Sequence, residues 1–178
     1  MNEGKTFSCV IRTPLGPMQA TAEDGALKGL WFTGQKYFPA AAENWINKPN
    51  YPVFVVLKAW LKDYFARKKP KNSFPLLPQG TDFQQVVWKL LLEIPYGKTT
   101  SYGAIAKQLN AKGIKASAQA VGGAVGHNPI SILIPCHRVL GADGSLTGYA
   151  GGLEKKLALL ELEGNPISTE TRDKLPRQ

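Results

Sequence analysis

Ile130-Ser131-Ile132-Leu133-Ile134-Pro135-Cys136-His137-Arg138-Val139-Leu140 is the stretch whose reading decides the rest of the chain. A run of mostly apolar residues, too short to span a membrane, stops at Pro135 and resumes at Val139. The pattern predicts a buried strand that delivers a thiol to its own end. Pro135 has a fixed φ and no N–H to donate, so it interrupts the strand and restricts the following turn. In an extended strand Cys136 and His137 would point to opposite faces, so a direct or water-bridged relation between thiol and imidazole requires a bend at this point.

The thiolate is the nucleophile of cysteine chemistry, and an ordinary thiol supplies only about a few per cent of it at neutral pH. A neighbouring imidazole can take the proton, a cation such as Arg138 favours the charged form, and a third group must orient the imidazole. Glu163 is the candidate for that third role. It closes the segment from Leu153 to Gly164, whose leucines recur at helical spacing and whose glycine reads as a C-cap. On these residues alone, a buried inert cysteine beside a solvated histidine fits equally well, since free cysteine is commonly a small core hydrophobe.

Further out, 178 residues with 43% hydrophobic content allow one medium domain or two small ones with a real core. The net charge of +9 suits an anionic partner. Its distribution says more: between Glu93 and Asp143 there is no acidic residue, while Lys98, Lys107, Lys112, Lys115 and Arg138 are all cationic. Two distant cysteines make a poor disulfide framework, and no Cys/His cluster has zinc-site spacing, so a reduced compartment and no metal are expected. The start lacks an apolar signal segment and no run is long enough to cross a bilayer, which predicts a cytoplasmic protein.

In chain order, Phe7–Thr13, Met18–Ala22 and Leu27–Phe32 read as strands of an antiparallel meander, turning at Pro14-Leu15-Gly16-Pro17 and Glu23-Asp24-Gly25. Cys9, with no imidazole beside it, reads as core. An amphipathic helix is expected from Pro52 to Lys69, with Trp60 and Tyr64 used for packing rather than base stacking. Phe74–Gly80 reads as a linker, placing a boundary between a domain over 1–78 and a second over 79–167, with a flexible tail over 168–178. The second domain opens with a helix capped by Thr81 or Asp82. Thr100 or Ser101 then starts a helix through Leu109, a turn holds Lys112-Gly113, and Ser117 opens a second helix over Ala118–Val125. Two short helices so joined suggest a helix-turn-helix. Ala120, Gly122, Gly123 and Ala124 would let the second helix approach a surface closely, or equally pack tightly inside the protein.

Gln119–Ala124 through Asn128-Pro129, then Ile134-Pro135-Cys136-His137-Arg138-Val139, then Gly148-Tyr149-Ala150-Gly151-Gly152-Leu153 resembles the O6-alkylguanine-DNA alkyltransferase family. The similarity runs from about Thr81 to Gly164 and is weaker before Gln79. It implies an α+β fold: a small N-terminal antiparallel sheet plus helix (ribonuclease H-like), then a mainly α domain with a winged helix-turn-helix and the active site. It implies a single, irreversible transfer of an alkyl group from O6-alkylguanine in double-stranded DNA, with O4-alkylthymine a further candidate. The protein would act as a monomer, without cofactor, through the minor groove and with the base flipped out.

Roles implied by the resemblance fall on matching positions. Cys136 is the nucleophile and permanent acceptor, His137 acts through a water as base, and Glu163 orients His137. Tyr102 contacts the phosphate and assists the departing guanine. Asn128 structures the turn before the active site, and the backbone carbonyls of Cys136 and Val139 read the guanine edge. Tyr149 and Ala150 line the pocket. Gln119, Ala120, Gly122, Gly123, Tyr102 and Arg138 form the DNA-contacting set. Gln119 departs from the family, which usually carries arginine there, so weaker duplex binding or greater reliance on lysines is expected. Some relatives bind zinc in the first domain; that ligand set is not visible in this chain. A non-catalytic lesion sensor, a helix-turn-helix regulator and a cysteine hydrolase are the alternatives. Keeping Cys136, His137 and Glu163 together argues against the first two, and no oxyanion-hole motif supports the third.

Overall fold

The computed structural model describes residues 4–39 and 44–167, so the tail expected over 168–178 lies outside the described residues. Two compact units divide the chain, Met1–Gln79 with Pro129–Leu133, and Gly80–Asn128 with Ile134–Gln178.

In the first unit, β1 (Phe7–Thr13), β2 (Gly16–Glu23) and β3 (Ala26–Phe32) form the expected meander. Pro14-Leu15 closes the first hairpin between Thr13 and Gly16. Asp24 and Gly25, with φ of 50° and 80°, close the second; positive φ at both central residues suits the right-handed twist of a tight hairpin. A fourth strand, β4 (Ile46–Asn47), lies parallel to Phe7–Ser8, giving the order β3-β2-β1-β4. The sheet is therefore not wholly antiparallel, and two residues are too few for an alternation that sequence could reveal.

Helix α1 (Pro52–Phe65) buries Val53, Phe54, Leu57, Trp60, Leu61 and Tyr64. Each large apolar side chain so buried contributes about 2 kcal/mol. Trp60 and Tyr64 stack at 5.3 Å within this core, as packing residues. The helix ends before the expected Lys69, because Arg67 and Lys69 take φ of 62° and 53° and Pro70 disfavours helical backbone in the residue ahead of it. The stretch read as a linker is stitched to the sheet: Leu27 donates to the Pro75 carbonyl at 2.9 Å, and Leu77 donates to the Leu27 carbonyl at 2.7 Å.

Ile130–Leu133 does not form the expected strand. Ile130 makes one bridge to Leu30, and a γ-turn follows, with the Leu133 N–H on the Ser131 carbonyl at 2.9 Å and Ile132 at φ 72°. That geometry is uncommon and strained for a β-branched residue. The apolar composition reflects burial, since all of Ile130–Leu133 is buried, and an apolar run does not by itself distinguish strand from buried irregular chain.

The second unit is mainly helical. Helix α2 (Asp82–Leu92) begins with a capping box in which Thr81 and Gln84 satisfy each other's backbone N–H groups. Two-residue β5 (Thr100–Ser101) pairs parallel with β6 (Val139–Leu140). Helices α3 (Tyr102–Ala111) and α4 (Ala118–Gly126) are capped by the hydroxyls of Ser101 and Ser117. Asn110 knits the turn between them, donating to the Ala106 and Ala116 carbonyls at 2.8 and 2.7 Å. Trp88 of α2 reaches α4, its indole N–H donating to the Ala124 carbonyl at 2.8 Å. Helix α5 (Leu153–Leu162) ends on Glu163, and Gly164 at φ 86° allows the Asn165 N–H to reach the Leu160 carbonyl, the left-handed cap that glycine favours. No described helix is long and apolar enough to cross a membrane.

Candidate active site

The bend demanded by thiol and imidazole is made by two successive backbone turns and held by one side chain. Pro135, at φ −81° and ψ 65°, is the centre of an inverse γ-turn in which the Cys136 N–H donates to the Ile134 carbonyl at 2.8 Å. Cys136–Arg138 then form one 3₁₀ turn, capped where the Val139 N–H meets the Cys136 carbonyl. Buried Asn128, just past the end of α4, donates to the same Ile134 carbonyl at 2.7 Å. Its amide therefore holds the turn that carries the thiol.

His137 is wholly buried, and its Nε2–H donates to Glu163 Oε2 at 2.7 Å. Arg138 grips the same carboxylate with two donors, Nε to Oε1 at 2.7 Å and Nη2 to Oε2 at 3.0 Å. Its Nη1 donates to the Ile94 carbonyl at 2.7 Å. Burial pushes the His137 pKa below its ordinary value, and Arg138 and Lys156 push the same way, outweighing the opposing hydrogen bond and charge of Glu163. The ring is therefore neutral at physiological pH. With Nε2 donating to a carboxylate, Nδ1 carries the lone pair, and it has no hydrogen-bond partner among the described residues. A buried imidazole nitrogen in that state is a proton acceptor.

Cys136 is buried, and burial pushes its thiol pKa up against smaller downward pulls from the Asn128 hydrogen bond, the Lys156 charge and local backbone. The resting group is a thiol. Lys156 was not singled out in the sequence, yet it has no exposed surface and donates to the carbonyls of Val139, Thr147 and Gly148 at 2.6, 3.1 and 3.2 Å. Burial pushes its pKa down to about 8. Tyr102, first residue of α3, donates its hydroxyl to the Thr147 carbonyl at 2.9 Å, and Lys156 Nζ lies 5.8 Å from its ring centroid. Burial raises the Tyr102 pKa.

Both halves of the chain match models of one family: residues 8–78 the 6-O-methylguanine DNA methyltransferase ribonuclease-like domain, and residues 82–165 the DNA-binding domain of the same name. The chain belongs to this family. A Mycobacterium tuberculosis relative named methylated-DNA–protein-cysteine methyltransferase is 48% identical over 153 residues, covering 86% of this chain and 89% of that one. A Methanosarcina acetivorans relative of the same name is 40% identical over 159 residues, covering 89% and 99%. The crystal structure of the M. tuberculosis O6-methylguanine methyltransferase superposes with a TM-score of 0.79 at 43% identity, over 95% of this chain and 99% of that one. The M. tuberculosis protein in complex with DNA gives 0.78 at 45% identity, over 86% and 90%.

Among family positions, Gln119, Ala120 and Gly123 are exposed on α4, while half-buried Gly122 faces the ring of Tyr102, which a Cβ there would meet at 3.8 Å. Tyr149 and Ala150 are half-buried in the segment before α5. Arg138, expected among DNA-contacting residues, is 9% exposed and holds Glu163 instead. Nor does it act on the thiol; the cation that lowers the thiol pKa is Lys156. Lys98, Lys107, Lys112 and Lys115 remain exposed. Pro95-Tyr96-Gly97-Lys98 reads in sequence as the stop of the preceding helix, but its part in the site was missed: the Gly97 N–H approaches Glu163 at 3.5 Å and the Tyr96 hydroxyl donates to the Leu162 carbonyl at 3.3 Å. A signal for Lys156 was present: it falls three and four residues ahead of Leu159 and Leu160, on the buried stripe of α5.

Proposed function

We propose that this protein repairs DNA by transferring an alkyl group from O6-alkylguanine to its own Cys136, one lesion per molecule. The observation that carries the reading is the cradle around the thiol: neutral His137 with Nδ1 unprotonated, its Nε2–H fixed on a Glu163 that Arg138 neutralises. When the lesion enters, the thiol proton passes to His137 Nδ1 through a water. Sulfur attacks the alkyl carbon in line, the S–C bond forms as the C–O6 bond breaks, and the electron pair leaves with guanine. Protonation of guanine, with the Tyr102 hydroxyl assisting, completes the restored base. A thioether has no ready hydrolytic route, so Cys136 stays alkylated. The electrophile arrives with the substrate, and no cofactor is required.

Flipping follows from the burial of Cys136, because a buried thiol cannot reach O6 of a stacked, paired guanine. Ala120, Gly122 and Gly123 give α4 a surface low enough for the minor groove, the exposed lysines supply phosphate contacts, and Gln119 replaces the flipped base without a charge. The carbonyls of Cys136 and Val139 read the guanine edge, and Tyr149 and Ala150 close over it. In this reading residues 79–167 do the chemistry, residues 1–78 support them, and the protein acts as a cytoplasmic monomer. Mixing the protein with excess duplex containing one O6-methylguanine, followed by intact-protein and peptide mass spectrometry, tests the proposal. A single methyl increment on the Cys136 peptide, with repair stopping at one lesion per protein, is expected. Lesion binding with an unmodified Cys136 would make the protein a sensor.

A further inference from the structure

The two edges of the first unit's sheet are finished differently. Along β3 the outer edge is occupied by bridges from Leu76 to Leu27 and from Ile130 to Leu30. Along β1, among the described residues, the outer edge is paired at Phe7 and Ser8, by β4. The backbone groups of β1 that face outward are those of even-numbered residues, since the Thr6 and Ser8 carbonyls accept from Ile46 and Lys48 on that side, both at 2.9 Å. By the two-residue period of a strand, Val10 and Arg12 present their N–H and C=O groups along the same edge, beyond the point where β4 leaves it.

Beside this edge lies a half-open cavity of about 590 Å³, walled by Val10 and Arg12 on the strand and by Lys58, Leu61, Lys62 and Phe65 on one face of α1. The walls are mostly apolar, and among the described residues the charges on them are all positive. Val10 is 57% exposed at its rim. An uncovered strand edge is a template for another strand, and proteins ordinarily block such edges.

We propose that this groove docks an extended segment of a partner protein in which acidic residues alternate with apolar ones, added to the sheet beside Val10 and Arg12. The strand edge supplies main-chain hydrogen bonds, alternate apolar side chains enter between β1 and the Leu61–Phe65 face, the intervening carboxylates meet Arg12 on the opposite face of the sheet, and Lys58 and Lys62 on α1 add long-range attraction for the acidic segment. The positive rim selects against a second copy of this basic chain. The backbone groups select against a small amphipathic acid, which would leave them unmatched.

The test uses the isotope-labelled full chain and a synthetic peptide of alternating Asp and Val or Ile. Amide shifts confined to Val10–Thr13 and Leu61–Phe65 are expected, with affinity falling at least ten-fold for the Arg12→Glu/Lys62→Glu variant and again on raising salt. Methyl transfer to Cys136 in the same variant is expected to be unchanged, so the docking site and the repair activity stand or fall separately. N-methylation of alternate peptide amides should abolish binding. Equal binding of the N-methylated peptide would overturn the strand-addition proposal, as would equal binding of a peptide with Lys in place of Asp. Absence of shifts at these residues, or a concentration-dependent dimer through the same face, would overturn it too.

Discussion

Cys9 and Cys136 are both free, both buried, and both have thiol pKa values pushed up by burial. They differ in what surrounds them. Cys9 lies in the core face of β1, where the Lys58 charge only partly offsets the upward push of burial. Cys136 follows an inverse γ-turn held by Asn128, the Lys156 ammonium acts on it, and the next residue in the chain is a neutral imidazole backed by Glu163 and Arg138. Burial raises a thiol wherever it occurs; only a polar cradle gives the departing proton somewhere to go.

The largest expected effect tests that contrast outright. Cys136→Ala should leave no transferable acceptor, and mass spectrometry after incubation with methylated duplex should find no adduct; a methyl group appearing on Cys9 instead would break the comparison. Next comes Glu163→Ala, which leaves the buried Arg138 guanidinium without its carboxylate and His137 without its orienter. Removing one partner of a buried ion pair costs about 3–5 kcal/mol, so denaturant unfolding should show a loss of that order, and the single-turnover rate should fall about 100-fold.

Lys156→Met gives a smaller and pH-dependent effect. The folded protein holds this proton only to about pH 8, while an unfolded lysine holds it to about 10.4. Between those values the unfolded state binds more protons, so the folded state gains stability from this group as pH rises. Relative to Lys156→Met, the unmodified protein should therefore gain about 2 kcal/mol from pH 7.5 to 9.5 in urea denaturation. A constant difference across that window would show that the ammonium is not desolvated. The smallest effect belongs to Cys9→Ala: about 1 kcal/mol of stability lost to a small cavity, with the methyl-transfer rate unchanged.

How legible the site was depended on whether a residue's role came from its neighbours in sequence. Pro135 announced the bend, Ser117 and the pairs Thr81/Asp82 and Thr100/Ser101 announced their helices, with the structure choosing Thr81 and Ser101 as the caps, and Gly164 announced the cap that places Glu163 at the end of α5. These are local signals, carried by fixed φ, a missing donor or a short hydroxyl side chain. Arg138 was misplaced because a cation beside a cysteine looks the same in sequence whether it faces solvent or a carboxylate 25 residues on.

From the sequence alone came a candidate thiol beside an imidazole, a candidate carboxylate partner, the paired helices and the three-stranded meander; the family resemblance added the roles proposed for them. Only the tertiary structure decided that Ile130–Leu133 is a strained turn rather than a strand, that Arg138 holds Glu163, that Lys156 is a cation acting on the thiol, and that the described residues leave one sheet edge uncovered beyond Ser8. The physical reason is the same in each case. Backbone preference and capping act within a few residues, whereas desolvation and charge pairing depend on which distant groups share a buried volume, and that is set by the packing of the whole unit.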